Sequence, residues 1–448
     1  MEAFMYRRFL LKGAAAAVIV PFVDGLSAWA QELSPLASAA RDAWIFGLAI
    51  VENAASRQEY LDGGAAPNKL LHMRGLTTPK NQFVTTPNND TLYSRVWLNL
   101  SAGSVRVTVP PTGDRYVSVA FMDMYTNNFA VIGTRTTGND GGTFTVVGPD
   151  AATDDPLAIR APTPWVWMLI RLLVDGDRDV PAANAIQNRF AVSGPRAPAP
   201  ARKYAARNAS WEAYFEAVQA LLMENPPRVT DDRFFDQVRP LGLGPRGGFD
   251  AQRFSNAQKA EITKGVEAAR TTLKMARRQG RVVDGWVYPK ADLGDFGQDY
   301  LYRAQVALGG LAALPRAEAM YMRPLGANGR IPFDSAREWM LRLPADRMPP
   351  VDSFWSLTMY QATDDGQFFF FDNPIDRYAI GDRTPGLQRD TDGSVSIWMT
   401  RTDPGSTLKS NWLPTPMTGN FGVVFRAYLP RAELLDGAYA LPALKALS

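Results

Sequence analysis

Residues 105–147 read VRVTVPPTGDRYVSVAFMDMYTNNFAVIGTRTTGNDGGTFTVV. Apolar and β-branched runs at Val105–Val109, Tyr116–Met122, Phe129–Ile132 and Thr143–Val147 are separated by Pro110–Asp114 and Gly138–Gly142, residues that favour tight turns. Short strands at that spacing predict a β-sandwich. A further apolar run, Trp165–Val174, extends the β-rich region, which starts near Asn81. Upstream, Trp44, Ile45, Phe46, Leu48, Ile50 and Val51 recur among charged residues between Pro35 and Leu61, a helical pattern that stops at Gly63-Gly64. Downstream, the stripe Tyr214, Phe215, Val218, Leu221, Leu222, a short one at 232–238 and a long polar-faced one at 256–278 predict helices, after a Pro- and Ala-rich linker at 196–202. From Glu318 strands return at 320–323, 339–343, 354–360, 368–371, 395–399 and 422–428. The expected division is therefore a helical segment (31–80), a β-sandwich (81–180), a helical domain (181–315) and a second β module (316–448).

The first thirty residues carry Arg7-Arg8, a short apolar run with Ala14 to Ala17, and Ala28-Trp29-Ala30. This pattern predicts a twin-arginine signal peptide, hence a periplasmic or secreted protein. The run is broken by Pro21 and is shorter than the roughly 20 apolar residues that span a bilayer, so no anchor is expected after cleavage.

Hydrophobic residues make up 46% of the chain and charged ones 21%, enough for a sizeable core. The 48 Lys and Arg nearly balance 45 Asp and Glu, and no basic stripe occurs, which argues against a nucleic-acid partner. Cysteine is absent and His72 is the one histidine, so thiolate and multi-histidine metal sites are excluded. No cofactor is identified, and calcium or another oxygen-ligand cation stays open. Gly242-Leu243-Gly244-Pro245-Arg246-Gly247 spells GxGxxG, but it follows a helical stretch and contains a proline, so it is read as an interhelical loop.

The densest polar stretch is Thr85–Arg95, where Asn88, Asn89 and Asp90 either brace a turn or present oxygens to a polar ligand, with His72 and Arg74 nearby. Asp123, Tyr125 and Asn127 alternate onto one face, followed by Arg135. Arg377 lies in an Asp- and Arg-rich loop, and Trp412 in Ser410–Pro414 either packs or stacks on a sugar. A hydrolase built from these residues would use Asp90 or Asp123 as general base or metal ligand, and His72 as acid or orienting group. Arg135 or Arg377 would then clamp an anion, and Asn88, Asn89, Tyr93, Tyr125, Asn127, Arg74 and Trp412 would contact ligand.

TPNNDTLYSRVWLNL (86–100), RYVSVAFMDMYTNNFAVIGTRTTG (115–138), FWSLTMY (354–360), NPIDRYAIGDRTPGL (373–387) and SNWLP (410–414) resemble the signatures of a two-module bacterial family. Its modules are domain of unknown function 1254 followed by domain of unknown function 1214. The resemblance implies an immunoglobulin-like sandwich, a helical insert and a jelly-roll-like sandwich, a mixed, mainly β fold. It implies no reaction. The functional expectation is an exported protein that binds or hydrolyses a small polar or glycan-like molecule in a pocket near Asn88–Asp90. The alternative is a non-enzymatic cell-envelope structural or assembly protein, and self-association into a homo-oligomer stays open.

Overall fold

Ser34 caps the first helix, its hydroxyl accepting from the Ala37 N–H at 3.1 Å, and Pro35 occupies the first turn, where a missing N–H costs nothing. In the computed structural model, which describes residues 33–81, 85–276, 281–325, 333–364, 367–406 and 408–447, this helix α1 (Pro35–Asp62) is buried on nearly all sides. The signal-peptide segment lies outside the described residues. Helices α2 (Val180–Gln187), α3 (Trp211–Glu224), α4 (Asp232–Val238), α5 (Asn256–Ala276), α6 (Tyr300–Gly309) and α7 (Ala432–Asp436) follow. No helix among the described residues is long and apolar enough to cross a membrane.

Helix α1 is the centre of a helical layer, packed against α3, α4, α5 and α6 in one apolar cluster. Its contact with α5 depends on Gly265, where a Cβ would stand 2.2 Å from the Ala37 carbonyl oxygen. Gly265→Val is expected to cost about 3 kcal/mol through overpacking, read as a lowered urea midpoint with an unchanged slope.

The first β module contains β1 (Leu71–His72), β2 (Thr91–Asn99), β3 (Val105–Val109), β4 (Val117–Met122), β5 (Asn128–Gly133), β6 (Gly142–Val147), β7 (Ile159–Arg160), β8 (Trp165–Leu173) and β9 (Ala191–Ser193). One sheet has the order β1-β2-β8-β4-β5 and a second the order β7-β6-β3-β9. Val166, Met168, Ile170 and Leu172 of β8 share an apolar cluster with Val105, Val107 and Val146 of the second sheet. Trp165, Trp167 and Leu169, on the opposite face of the same strand, pack into the helical layer.

The other β module contains β10 (Arg281–Val283), β11 (Trp286–Tyr288), β12 (Ala319–Pro324), β13 (Phe333–Asp334), β14 (Trp339–Leu343), β15 (Trp355–Ala362), β16 (Phe368–Phe369), β17 (Ala379–Gly381), β18 (Val395–Met399), β19 (Asn420–Tyr428) and β20 (Lys445–Ala446). Its large sheet runs β10-β11-β12-β19-β15-β16, with β13 on β19 and β17 on β15, and a small sheet runs β18-β14-β20. Both sheets contribute to one apolar cluster. The molecule is thus mixed and mainly β.

Two features differ from the sequence-based division. The stretch 181–315 is not wholly helical: β9 pairs with β3, and β10 and β11 extend the large sheet through β12, pairing backbone edges that would otherwise be bare. The N-terminal helical segment also does not stand apart, since α1 packs against α3, α4, α5 and α6. The GxGxxG stretch follows α4 and a 3-10 turn, with Gly242 at φ 73°. Gln219 Nε2 donates to the carbonyls of Gly244 and Gly247 at 2.9 and 3.1 Å, so this loop is tied to α3.

Candidate functional site

The helix-facing side of the first sheet has two tenants. Along β8, the stripe Trp165, Trp167, Leu169 meets helices, whereas Leu173 joins Tyr116, Ala120, Ala319, Phe354 and Tyr428 in a cluster shared by the two β modules. Arg171 occupies the intervening position on the same face, at the junction of the three layers. Strand register sets Tyr93, Arg171 and Ser118 in one row across β2, β8 and β4. In the large sheet of the other module, Tyr321, Arg426 and Ser356 form a comparable row across β12, β19 and β15.

The Asn88–Asp90 turn bridges these rows. Ser356 Oγ donates to Asp90 Oδ2 at 2.7 Å. Asn88 Nδ2 lies 2.9 Å from Tyr428 Oη and 3.1 Å from both Tyr93 Oη and Thr91 Oγ1. Asn88 Oδ1 accepts the Asp90 N–H at 2.7 Å, which fixes the orientation of the amide, because only the oxygen can accept there. Burial pushes the Asp90 carboxyl upward, opposed by the nearby Arg426 and by the Ser356 hydroxyl. Asp90, Tyr93 and Tyr321 nevertheless keep partial exposure, whereas Arg171, Arg426 and Tyr428 are buried.

The two arginines are used differently. Arg426 donates through Nη1 to Thr358 Oγ1 at 2.6 Å and through Nη2 to Tyr360 Oη at 2.8 Å and the Thr86 carbonyl at 3.2 Å. Arg171 donates through Nη2 to the Ala312 carbonyl at 2.7 Å, while its Nη1 has no partner among the described residues. The Tyr93 ring lies 5.4 Å from the Arg171 guanidinium, and the buried Ser118 hydroxyl also has no hydrogen-bond partner among the described residues. Beside this cluster, Tyr116 Oη and Arg135 Nε donate to the two carboxylate oxygens of buried Glu318, at 2.8 and 2.6 Å.

The structure therefore brings Asn88, Asp90 and Tyr93 together with groups of the other module, and sets Arg135 next to them in an ion pair. The Asn89 Oδ1 belongs to the same turn and has no partner among the described residues. The remaining candidates lie apart. His72 Nδ1 is 2.7 Å from Ser94 Oγ, and Ser94 also receives Gln187 Nε2 at 3.1 Å. Arg74 reaches Gln187 Oε1 at 3.4 Å on the surface.

Asp123 is fully buried and accepts from the N–H groups of Tyr125 and Asn127, both at 2.9 Å, and from Arg228 at 3.3 Å. Tyr125 Oη donates to the Asn225 carbonyl at 2.7 Å, and Asn127 Oδ1 accepts from Phe296 N at 3.1 Å. This group ties the first sheet to the helical layer. Arg377 donates to the carbonyls of Lys409, Ser410 and Trp412, and Trp412 is buried with its Nε1 on the Thr400 carbonyl at 3.0 Å. Both brace loops of the second module. Among the described residues no three His, Asp or Glu side chains gather as a cage for a metal ion.

His72 is half-buried, and burial, then the charge of Arg74, lowers its pKa. The unfolded chain therefore binds the proton more readily, so acidification through about pH 6.5 costs stability. Thermal unfolding of His72→Gln between pH 5 and about pH 7 is expected to show a shallower dependence of Tm on pH than the parent.

Neither of two surface depressions contains the central cluster: the first lies between the two β modules and the second within the second module. The first, of about 310 Å³, is lined by Thr112, Arg115, Leu173, Asp175 and Arg383, and its arginines are paired with Asp179 and Asp175. The other, of about 210 Å³, is lined by Trp355, Asp382, Thr384, Arg389 and Val395. The central cluster is distinguished from the first depression by Arg171, a cation that no carboxylate pairs with among the described residues.

Arg171 and Arg426 were not among the sequence candidates. The available signal was a lone arginine inside each of two apolar strands, WVWMLIRLL and NFGVVFRAY. Such a residue on a buried face needs a partner or a ligand.

Residues 67–194 match the model for a protein of unknown function, DUF1254, and residues 318–432 the model for a protein of unknown function, DUF1214. The crystal structure of the VPA0106 protein from Vibrio parahaemolyticus is similar over 92% of this chain and 100% of its own, with a TM-score of 0.71 at 23% identity. An uncharacterised protein from Burkholderia cenocepacia aligns over 92% of this chain and 94% of its own, with a TM-score of 0.46 at 12% identity. No curated protein matches. The first of these likenesses concerns the fold, and the order of the two domain matches along the chain settles the kinship: this protein belongs to the family in which DUF1254 is followed by DUF1214.

Proposed function

We propose that this chain is an exported periplasmic protein that binds a small polar or glycan-like molecule at the seam of its two β modules, beside the Asn88–Asp90 turn. Its paired sheets are read as an immunoglobulin-like sandwich in the first module and a jelly-roll-like sandwich in the second, on the strength of their shared apolar clusters. The observation that carries the binding reading is the buried Arg171, whose Nη1 lacks a partner among the described residues in a cluster rich in hydroxyl groups. Binding is favoured over hydrolysis because His72 and Asp123 are engaged elsewhere.

The test is a thermal-shift screen of residues 31–448 against sugars, sugar acids, hydroxy acids and amino acids. A compound that raises Tm in the parent and fails to do so in Tyr93→Phe supports the reading. No shift with any compound, or equal shifts in both proteins, refutes it in favour of an envelope assembly role. Export is tested separately: joint replacement of Arg7 and Arg8 by lysine is expected to hold the protein in the cytoplasm.

A further inference from the structure

We propose that the group recognised at the seam is a carboxylate, received by Arg171 together with the hydroxyls of Tyr93 and Tyr428; this rests on the binding reading above and specifies its ligand. Three observations converge on it. Arg171 is 5% exposed and stays protonated at neutral pH, yet no ion pair engages it among the described residues. Its electrostatic neighbours are tyrosines: Tyr93, Tyr321, Tyr428 and Tyr116. A buried cation without a countercharge is costly, and a bound anion removes that cost.

The second observation is the direction of the hydrogen bonds. Asn88 Oδ1 is committed to the Asp90 N–H, so Asn88 Nδ2 is a donor, with two protons shared among Tyr428 Oη at 2.9 Å and Tyr93 Oη and Thr91 Oγ1 at 3.1 Å. The two phenol oxygens cannot donate back to it. Their own O–H protons have no acceptor among the described residues. Arg171 Nη1 is a third donor without an acceptor. Two phenol hydroxyls beside the open Arg171 Nη1 suit an anionic oxygen ligand, with Asp90 and Asn89 Oδ1 as the acceptors of the same turn.

The third observation selects the anion. Arg426 spends both its terminal nitrogens on Thr358, Tyr360 and the carbonyl of Thr86, and its charge is offset by Asp90, so the charge of one guanidinium, Arg171, is left to compensate. Asp90 acts electrostatically on Tyr428 and would repel a second negative charge. One positive group with a nearby carboxylate suits a planar monoanion better than a phosphate dianion.

The experiment is calorimetric titration of residues 31–448 with matched probes: sugar acids, hydroxy acids and amino acids, each beside its primary amide and the corresponding phosphate, with sodium chloride alone. At least one carboxylate is expected to bind. Its amide should bind roughly 10- to 100-fold more weakly, the value of a charge-assisted hydrogen bond. Arg171→Met should abolish carboxylate binding without lowering Tm by more than a few degrees, because an uncompensated charge leaves the interior with it. Tyr93→Phe, which keeps the ring, should weaken the carboxylate more than the amide.

Binding of amides or neutral sugars equal to that of carboxylates overturns the carboxylate inference and leaves the binding reading intact. So does tighter binding of phosphates, or a response to chloride alone. No binding by any probe overturns both. A large loss of Tm in Arg171→Met also overturns the inference, since it would make Arg171 a structural brace.

Discussion

Arg426→Met is expected to lower the unfolding free energy by about 3–5 kcal/mol, the cost of removing one member of a buried charged network. Arg426 is 4% exposed and serves Thr358, Tyr360 and the carbonyl of Thr86, so it ties β19 and β15 to the turn of the first module. Methionine fills much of the volume but donates nothing. Its loss leaves a backbone carbonyl and two hydroxyls short of a donor. It also deprives Asp90 of the cation that opposes the upward push of burial on its carboxyl.

A carboxyl whose folded pKa is raised further is penalised only where it must ionise. Below its unfolded value of about 3.9 that penalty vanishes, and it grows as pH rises through the folded value. The deficit of Arg426→Met should therefore be larger at pH 7 than at pH 4, as read from urea midpoints at both. A loss below about 1 kcal/mol, or an equal loss at both pH values, would show that Arg426 does not organise the seam.

Much of this architecture is legible in the sequence because turn residues and apolar periodicity report local structure. Strands Val105–Val109, Trp339–Leu343 and Val395–Met399 fall where alternation and flanking turns place them, and α1 ends at the Gly63-Gly64 pair. The short strands β9, β10 and β11 were less legible. Their two- or three-residue pairings exist because a distant sheet edge is available, a tertiary circumstance with no local signature.

The site shows the same division. The Asn88–Tyr93 stretch stands out as polar, and its turn does bridge the modules. Asp123 and Trp412 stand out equally, yet the first closes a turn against Tyr125 and Asn127, and the second packs beneath a loop. Polarity in a sequence marks a demand for hydrogen bonds without saying whether the chain itself meets it. Arg171 was passed over for the opposite reason: nothing within β8 distinguishes a helix-covered position from one under the other module, so an arginine there reads as part of an apolar strand.

Glu318→Ala is expected to be comparably damaging, at about 3–5 kcal/mol from the void and the orphaned hydroxyl together. Glu318 is 1% exposed at the start of β12's approach, and both of its carboxylate oxygens are held by the first module, one by Tyr116 and one by Arg135. Alanine leaves the buried Tyr116 hydroxyl without an acceptor and opens a void next to the rings of Phe354 and Tyr428, which pack edge-on to Tyr116 at 5.9 and 5.3 Å. Charge is the smaller part. Arg135 keeps 35% exposure, so water screens the ion pair.

Glu318→Gln separates the two contributions. The amide oxygen can still accept from Tyr116 Oη, and the amide N–H₂ then faces Arg135, which at 35% exposure can turn to water. The buried Tyr116 hydroxyl keeps its acceptor and the ion pair alone is lost, so the cost should be about 1 kcal/mol. Arg135→Met instead leaves the buried Glu318 carboxylate without its cation and should cost more than Glu318→Gln. The expected order of urea midpoints is parent, then Glu318→Gln, with Arg135→Met and Glu318→Ala below it. If Glu318→Gln fell as far as Glu318→Ala, the seam would be held by charge, and the screening argument from Arg135's exposure would be wrong.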